Sequence, residues 1–178
     1  YMASLFDAFS SSNLKLKNKI VMAPMTRCRA NHEHVPTDIM ATYYVQRSGA
    51  GLIITEGTSP SKNGSGYTRI PGIYTQEQTD AWKPIVKKVH EGDSKIFVQL
   101  MHTGRVSHPD NMSDTAEIMA PSAISVKASK MYTDQNGEQE MPVPKEMSPA
   151  DIKEATNEFV KAAKYAMSAG FDGVELHA

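Results

Sequence analysis

Four short, nearly continuous apolar runs punctuate the chain, with helix-like patterns between them. "KIVMAPM" (residues 19–25) is ended by proline, and "GLIITEGT" (51–58) is β-branched and bounded by glycines. "KIFVQLMH" (95–102) and "DGVELHA" (172–178) complete the set. Apolar runs of this length, without an alternating polar face, predict strands buried on both sides of a parallel sheet. The strands are expected near residues 20–25, 51–57, 95–101 and 172–177. Val21, Ile53, Ile54, Phe97, Val98, Val174 and Leu176 are expected in the core.

The segments between the runs carry helix start and stop signals. Pro36-Thr37-Asp38 opens a helix over 37–48, with Gly49 as its stop. Thr75 with Gln78 has the spacing of a capping box for a helix over 76–91. Its apolar face reads Ala81, Ile85, Val86 and Val89, and Gly92 ends it. Ser148, Pro149 and Asp151 open a third helix over 149–169. Ile152, Ala155, Phe159, Ala162 or Ala163, and Ala166 recur on one face of it, and Gly170 ends it. The order is therefore βαβαβαβ, and right-handed crossovers place the helices against the sheet. The connection from Thr103 to Met147 is too long to be structureless. Asn136-Gly137 within it predicts a hairpin with a short strand on each side.

Composition narrows the function classes. The chain has 178 residues, long enough for one domain with a real core. With 19 basic and 20 acidic residues, it lacks the field that draws nucleic acid or an anionic membrane. Its apolar runs are far too short for a membrane span. The opening "YMASLFDAFSSS" lacks the basic start and apolar core of a secretory signal. A single cysteine, Cys28, rules out an internal disulfide and favours a reducing, cytoplasmic setting.

The polar residues that interrupt the apolar pattern gather at the carboxyl ends of the four strands. They are Thr26, then Glu56-Gly57-Thr58, then Gln99 and His102, then Glu175 and His177. Ligands of parallel sheets and barrels bind at that edge. Taken singly, a threonine there is often a turn cap, a glutamine a satisfied core amide and a histidine merely solvated. Other chemistry has weaker support. His32 and His34 lack a third ligand nearby, so no metal is expected. Gly64-x-Gly66 lacks the rest of a phosphate-loop pattern, and Cys28 has no evident base partner.

Several of these stretches together resemble one family. "IVMAPMTRCRA", "LIITEGT", "GIYTQEQTDAWKPIVKKVH", "QLMHTGRVSHP", "APSAI" and "GFDGVELHA" are similar, in order and spacing, to the Old Yellow Enzyme family of FMN-dependent ene reductases. The nearest flavour is the N-ethylmaleimide, xenobiotic and nitrate-ester reductase branch. The resemblance implies an α/β fold, with residues 1–178 as the N-terminal half of a (β/α)₈ TIM barrel and a β-hairpin insertion after the third strand. The C-terminal half would be absent, including the flavin phosphate site and a tyrosine that follows the His177 motif. The implied activity is NAD(P)H-dependent reduction of activated C=C bonds in enones and maleimides by hydride transfer from reduced FMN. Nitro and nitrate-ester compounds are further implied substrates. The competing expectation is a half-barrel fragment that folds or associates without flavin or activity.

The resemblance also implies residue roles. Ala23, Pro24, Met25 and Thr26 would line the flavin, with the Thr26 hydroxyl donating to a ring carbonyl that gains negative charge on reduction. Gln99 would meet the mixed donor–acceptor edge of the pyrimidine ring, and Gly57 would let backbone approach it. His177 would be catalytic, donating to the carbonyl or nitro oxygen of the substrate. Tyr67 and Met101 would line the substrate pocket; Met101 stands where many relatives carry tryptophan. The expected partners are small electrophilic alkenes or nitro compounds, with no nucleic acid and no membrane. Self-association, or a second chain supplying the other half-barrel, is expected as well.

Overall fold

A computed structural model describes residues 4–177. It opens with a small antiparallel hairpin, β1 (Phe9–Ser10) and β2 (Lys15–Leu16). There follow β3 (Val21–Met22), α1 (Asp38–Val45), β4 (Leu52–Thr58), α2 (Gln76–Glu91) and β5 (Lys95–Met101). The long connection holds β6 (Met119–Ala120), β7 (Met131–Thr133), β8 (Gly137–Gln139) and β9 (Lys145–Glu146). The last two elements are α3 (Pro149–Ala169) and β10 (Gly173–His177). β10, β5, β4 and β3 lie side by side in that order, and every pairing is parallel. This is four adjacent strands of a (β/α)₈ barrel, with the hairpin β7–β8 inserted after the third of them.

The two capping boxes form. Thr75 accepts from Gln78 N–H while the Gln78 side chain returns to the Thr75 N–H, and Ser148 and Asp151 do the same for α3. Gly170 takes the left-handed conformation at φ 96°, which lets the chain leave α3 and enter β10. α1 is shorter than predicted. It stops at Val45, so the chain turns before Gly49. Thr37 makes no cap bond, because its hydroxyl donates to Arg29 O instead.

The helices cover one face of the sheet. Ile53, Ile96, Val98 and Leu100 pack there against Trp82, Ile85, Val86, Val89, Ala162 and Ala166. Trp82, fully buried, anchors this layer; its ring meets Phe171 edge-on at 5.3 Å and its indole N–H donates to Gly72 O. Several core expectations fail. Val21 is 47% exposed and Leu176 64%, while Ile54, Phe97 and Val174 are half-buried. Val21 and Leu176 sit on the two outer strands, and among the described residues nothing covers them. The first strand also pairs over only Val21–Met22 rather than 20–25. Pro24 has no N–H to give a ladder.

At the amino end of the sheet one carboxylate ties three elements together. Asp172 accepts from Lys95 Nζ at 2.9 Å, Ile96 N–H at 2.9 Å and His90 Nε2 at 2.7 Å. Partial burial pushes this carboxyl up, but the three donors outweigh it and hold it below the ordinary range. A depressed carboxyl stabilises the fold above its unfolded value, about 3.9, and that stability is lost as pH falls through the folded value. Asp172→Asn should therefore cost about 1–2 kcal/mol at pH 7 and shrink the gap between variant and wild type in acid. Urea unfolding across the acid range checks this. No helix among the described residues is long and apolar enough to cross a membrane.

Candidate functional site

Side chains in register across a parallel sheet point the same way. The register aligns Ile54 with Phe97 and Gly173, Gly57 with Gln99 and Glu175, and Met101 with His177. These residues share the face that carries no helix. Its floor is apolar: the Phe97 ring occupies the space a Cβ at Gly173 would need. Toward the carboxyl ends the face becomes polar, with Gln99 buried and Glu175 half-buried beside it. Gln99 Nε2 donates to Glu175 Oε1 at 3.3 Å. Glu175 Oε2 is buried and has no partner among the described residues.

A bulge shapes the centre of this edge. The register between β4 and β5 shifts between Ile54 and Gly57. Thr55 fills the gap, its hydroxyl accepting from Gln99 N–H at 3.1 Å and donating to Glu56 O at 2.9 Å. Gly57 does not leave an open approach. A Cβ there would fall 2.4 Å from Met101 Cε, so the Met101 thioether lies across it, and Met101 itself is buried. His177 is exposed at one edge of the sheet. Met25 and Thr26 are exposed at the other, just after β3, with Ala23 exposed and Pro24 half-buried before them. Tyr67 is half-buried in the loop after β4. The structure thus brings Gly57, Gln99, Met101 and His177 onto one face, with residues 23–26 at its far border.

Two of the strand-end polar groups, Glu56 and His102, have surroundings that the sequence pattern did not show. The first belongs to the Tyr44–Glu56 pair, both members fully buried. The Tyr44 hydroxyl donates to Glu56 Oε1 at 3.0 Å and accepts from Glu56 N–H at 3.0 Å. The other carboxylate oxygen, Oε2, accepts from Arg27 N–H at 3.0 Å. Burial pushes the Glu56 carboxyl up, and the bonds from Arg27 and Tyr44 offset part of that. Glu56 therefore pins the turn that follows Thr26, where Cys28 sits at φ 53°. The second is His102. Its Nδ1 accepts from Gly104 N–H, which puts the proton of a neutral ring on Nε2, and Nε2 is buried without a partner. Burial holds its pKa below the usual value. No local pattern marks the Tyr44–Glu56 pair, because its two members lie twelve residues apart on a helix and a strand.

Another concave feature lies away from this face. It is a groove of about 550 Å³ between the loop after β5 and the chain that joins β8 to β9, lined by Met112, Ile118, Val143 and the acidic Asp110, Asp114 and Glu117. His32 and His34 line a smaller polar cavity with Arg69 and Asp134. No group of three metal-ligating side chains occurs among the described residues.

Comparison with known proteins decides what this architecture belongs to. The profile of the NADH:flavin oxidoreductase / NADH oxidase family matches residues 4–178. The chain belongs to this family. The "Probable flavin mononucleotide-dependent alkene reductase" of Leishmania infantum is 41% identical over 165 residues, which is 91% of this chain and 45% of that protein. The 12-oxophytodienoate reductase 7 of Oryza sativa subsp. japonica is 39% identical, covering 98% of this chain and 45% of its own length. The solved Old Yellow Enzyme homologue of Zymomonas mobilis superposes with a TM-score of 0.92 at 41% identity, over 99% of this chain and 48% of that one. The resemblance seen in the sequence was therefore to the right family. The chain spans about half the length of the relatives it matches.

Proposed function

We propose that this chain forms the flavin-bearing wall of an NAD(P)H-dependent ene reductase, and that its substrates are small alkenes activated by a carbonyl, with nitro compounds as a further class. The observation that carries the reading is the aligned row Gly57–Gln99–Glu175 on the open face of the sheet, beside Thr26 and His177. A flat apolar floor topped by a polar row fits a ring system that is apolar across its faces and polar along one edge. The fit has one tight point, the Met101 thioether over Gly57. Bound FMN would supply two-electron transfer between a nicotinamide and the alkene.

The residues have separable tasks in this reading. Gln99 would meet the ring edge, and the backbone at Gly57 would reach it only with the Met101 thioether moved aside. The exposed Thr26 hydroxyl would donate to a ring oxygen and stabilise charge there. Residues 23–25 border the ring. The His177 imidazole donates to the substrate oxygen, drawing electron density from the alkene, and Tyr67 and Met101 bound the space above. A chain carrying the complementary half-barrel, or a second copy of this one, would cover the open face. A cytoplasmic setting belongs to the same reading and rests on the free, half-buried thiol of Cys28.

The test begins with FMN bound to the purified protein, in complex with a complementary half-barrel if one is needed. Thr26→Ala should slow reduction of the flavin by the nicotinamide about 10-fold or more. His177→Ala should weaken binding of phenolic ligands, which offer one oxygen to the imidazole. Unchanged ligand affinity in the His177 variant removes its assigned task. A protein that takes up no FMN in either form favours the flavin-free half-barrel instead.

A further inference from the structure

We propose that Glu175 is a positioning residue that fixes the orientation of the Gln99 amide, and that it acts on the cofactor only through Gln99. The inference rests on the flavin reading given above. Glu175 and Gln99 are directly opposite on β10 and β5, and the Gln99 nitrogen meets Glu175 Oε1 at 3.3 Å. An ionised carboxylate can only accept, so the amide must turn its nitrogen, not its oxygen, toward Glu175. That choice sets what remains. One amide N–H is spent along the sheet; the other N–H and the oxygen stay together as a donor–acceptor pair for a ligand. A planar heterocycle with adjacent C=O and N–H groups on one edge matches such a pair.

The surroundings leave Glu175 alone in this task. On the other side of Gln99 the register partner is Gly57, which has no side chain. The Gln99 backbone is held separately, by the Thr55 hydroxyl. Without Glu175, the buried amide could rotate by half a turn and present its acceptor where its donor belongs. Glu175 Oε2 is buried and has no partner among the described residues, so within them the bond to Gln99 is the contact this carboxylate makes.

The test is a double-mutant cycle on FMN affinity, joined to a measurement that needs no flavin. Glu175→Ala and Gln99→Ala should each weaken FMN binding about 10-fold, and the double variant should be no weaker than Gln99→Ala within about twofold. Glu175→Gln, which keeps the shape and one acceptor, should recover part of the loss. In the flavin-free protein, the Gln99 side-chain amide protons should exchange slowly by NMR in wild type and as a free amide in Glu175→Ala. Additive losses in the cycle, or an amide whose exchange ignores Glu175, would overturn the proposal. If wild type binds no FMN, the flavin reading fails by itself, and the NMR comparison still decides the pair.

Discussion

A polypeptide of these 178 residues, purified alone, should run in light scattering at no less than twice its single-chain mass of 19.5 kDa. The reason lies at the two borders of the sheet. β3 and β10 are each paired on one side only, so each offers a row of free backbone donors and acceptors. Apolar side chains accompany those edges: Val21 is 47% exposed, Met25 44% and Leu176 64%. Each Å² of apolar surface removed from water is worth about 25 cal/mol. The helix-free face adds the half-buried Ile54 and Phe97. Two copies packed face to face about a two-fold axis would cover both borders at once. Leu176→Lys with Val21→Lys should shift the mass toward one chain. A wild-type polypeptide that is monomeric, with a cooperative melt, would contradict the edge argument.

Glu56→Ala should cost about 2–4 kcal/mol and loosen the segment that borders the proposed flavin site. It strands the fully buried Tyr44 hydroxyl and takes away the acceptor of the half-buried Arg27 N–H bond. Tyr44→Phe should cost less, because Glu56 keeps its bond to Arg27. The pH dependence has a definite sign. Burial raises the Glu56 carboxyl above its ordinary value, so the folded state holds that proton more tightly than the unfolded chain does. Glu56 therefore lends stability at low pH and withdraws it as pH rises from the ordinary carboxyl range through the folded value. Glu56→Gln should remove that slope while still losing one acceptor. Denaturant melts across this range give both numbers. Thermal stability and FMN affinity should fall together in Glu56→Ala, whereas the losses at Glu175 should appear in affinity far more than in stability.

The legible parts of the fold were those whose cause is local. The runs around Ile53 and Phe97 marked parallel strands because an apolar run needs no partner to be seen. The boxes at Thr75 and Ser148 marked helix starts because donor and acceptor lie three residues apart. Trp82 escaped the helical reading: the face runs through 82, 85, 86 and 89, which leaves Ala81 half-buried at its border. The two-residue pairings β1–β2 and β6–β9 are too short to leave a period in the sequence. The exposure of Val21 and Leu176 was hidden for another reason. Their residue types suit burial, and only the layout of the sheet reveals that nothing described covers them. The strand-end rule picked out Gln99 and His177 as candidates, and register puts them on one face. The Tyr44–Glu56 pair stayed invisible because a glutamate at a strand end reads as a ligand group, while its partner lies twelve residues upstream on a helix.

The central claim is that FMN binds across the carboxyl ends of β4, β5 and β10 and not in the groove between the loop after β5 and the chain that joins β8 to β9. Hydrogen exchange with and without saturating FMN tests it most directly. The account predicts added protection at residues 25–27, 57–58, 99–102 and 175–177, with no change at residues 110–118 and 143–145. Protection confined to that groove, or none at the strand ends in a protein that has bound FMN, would contradict it.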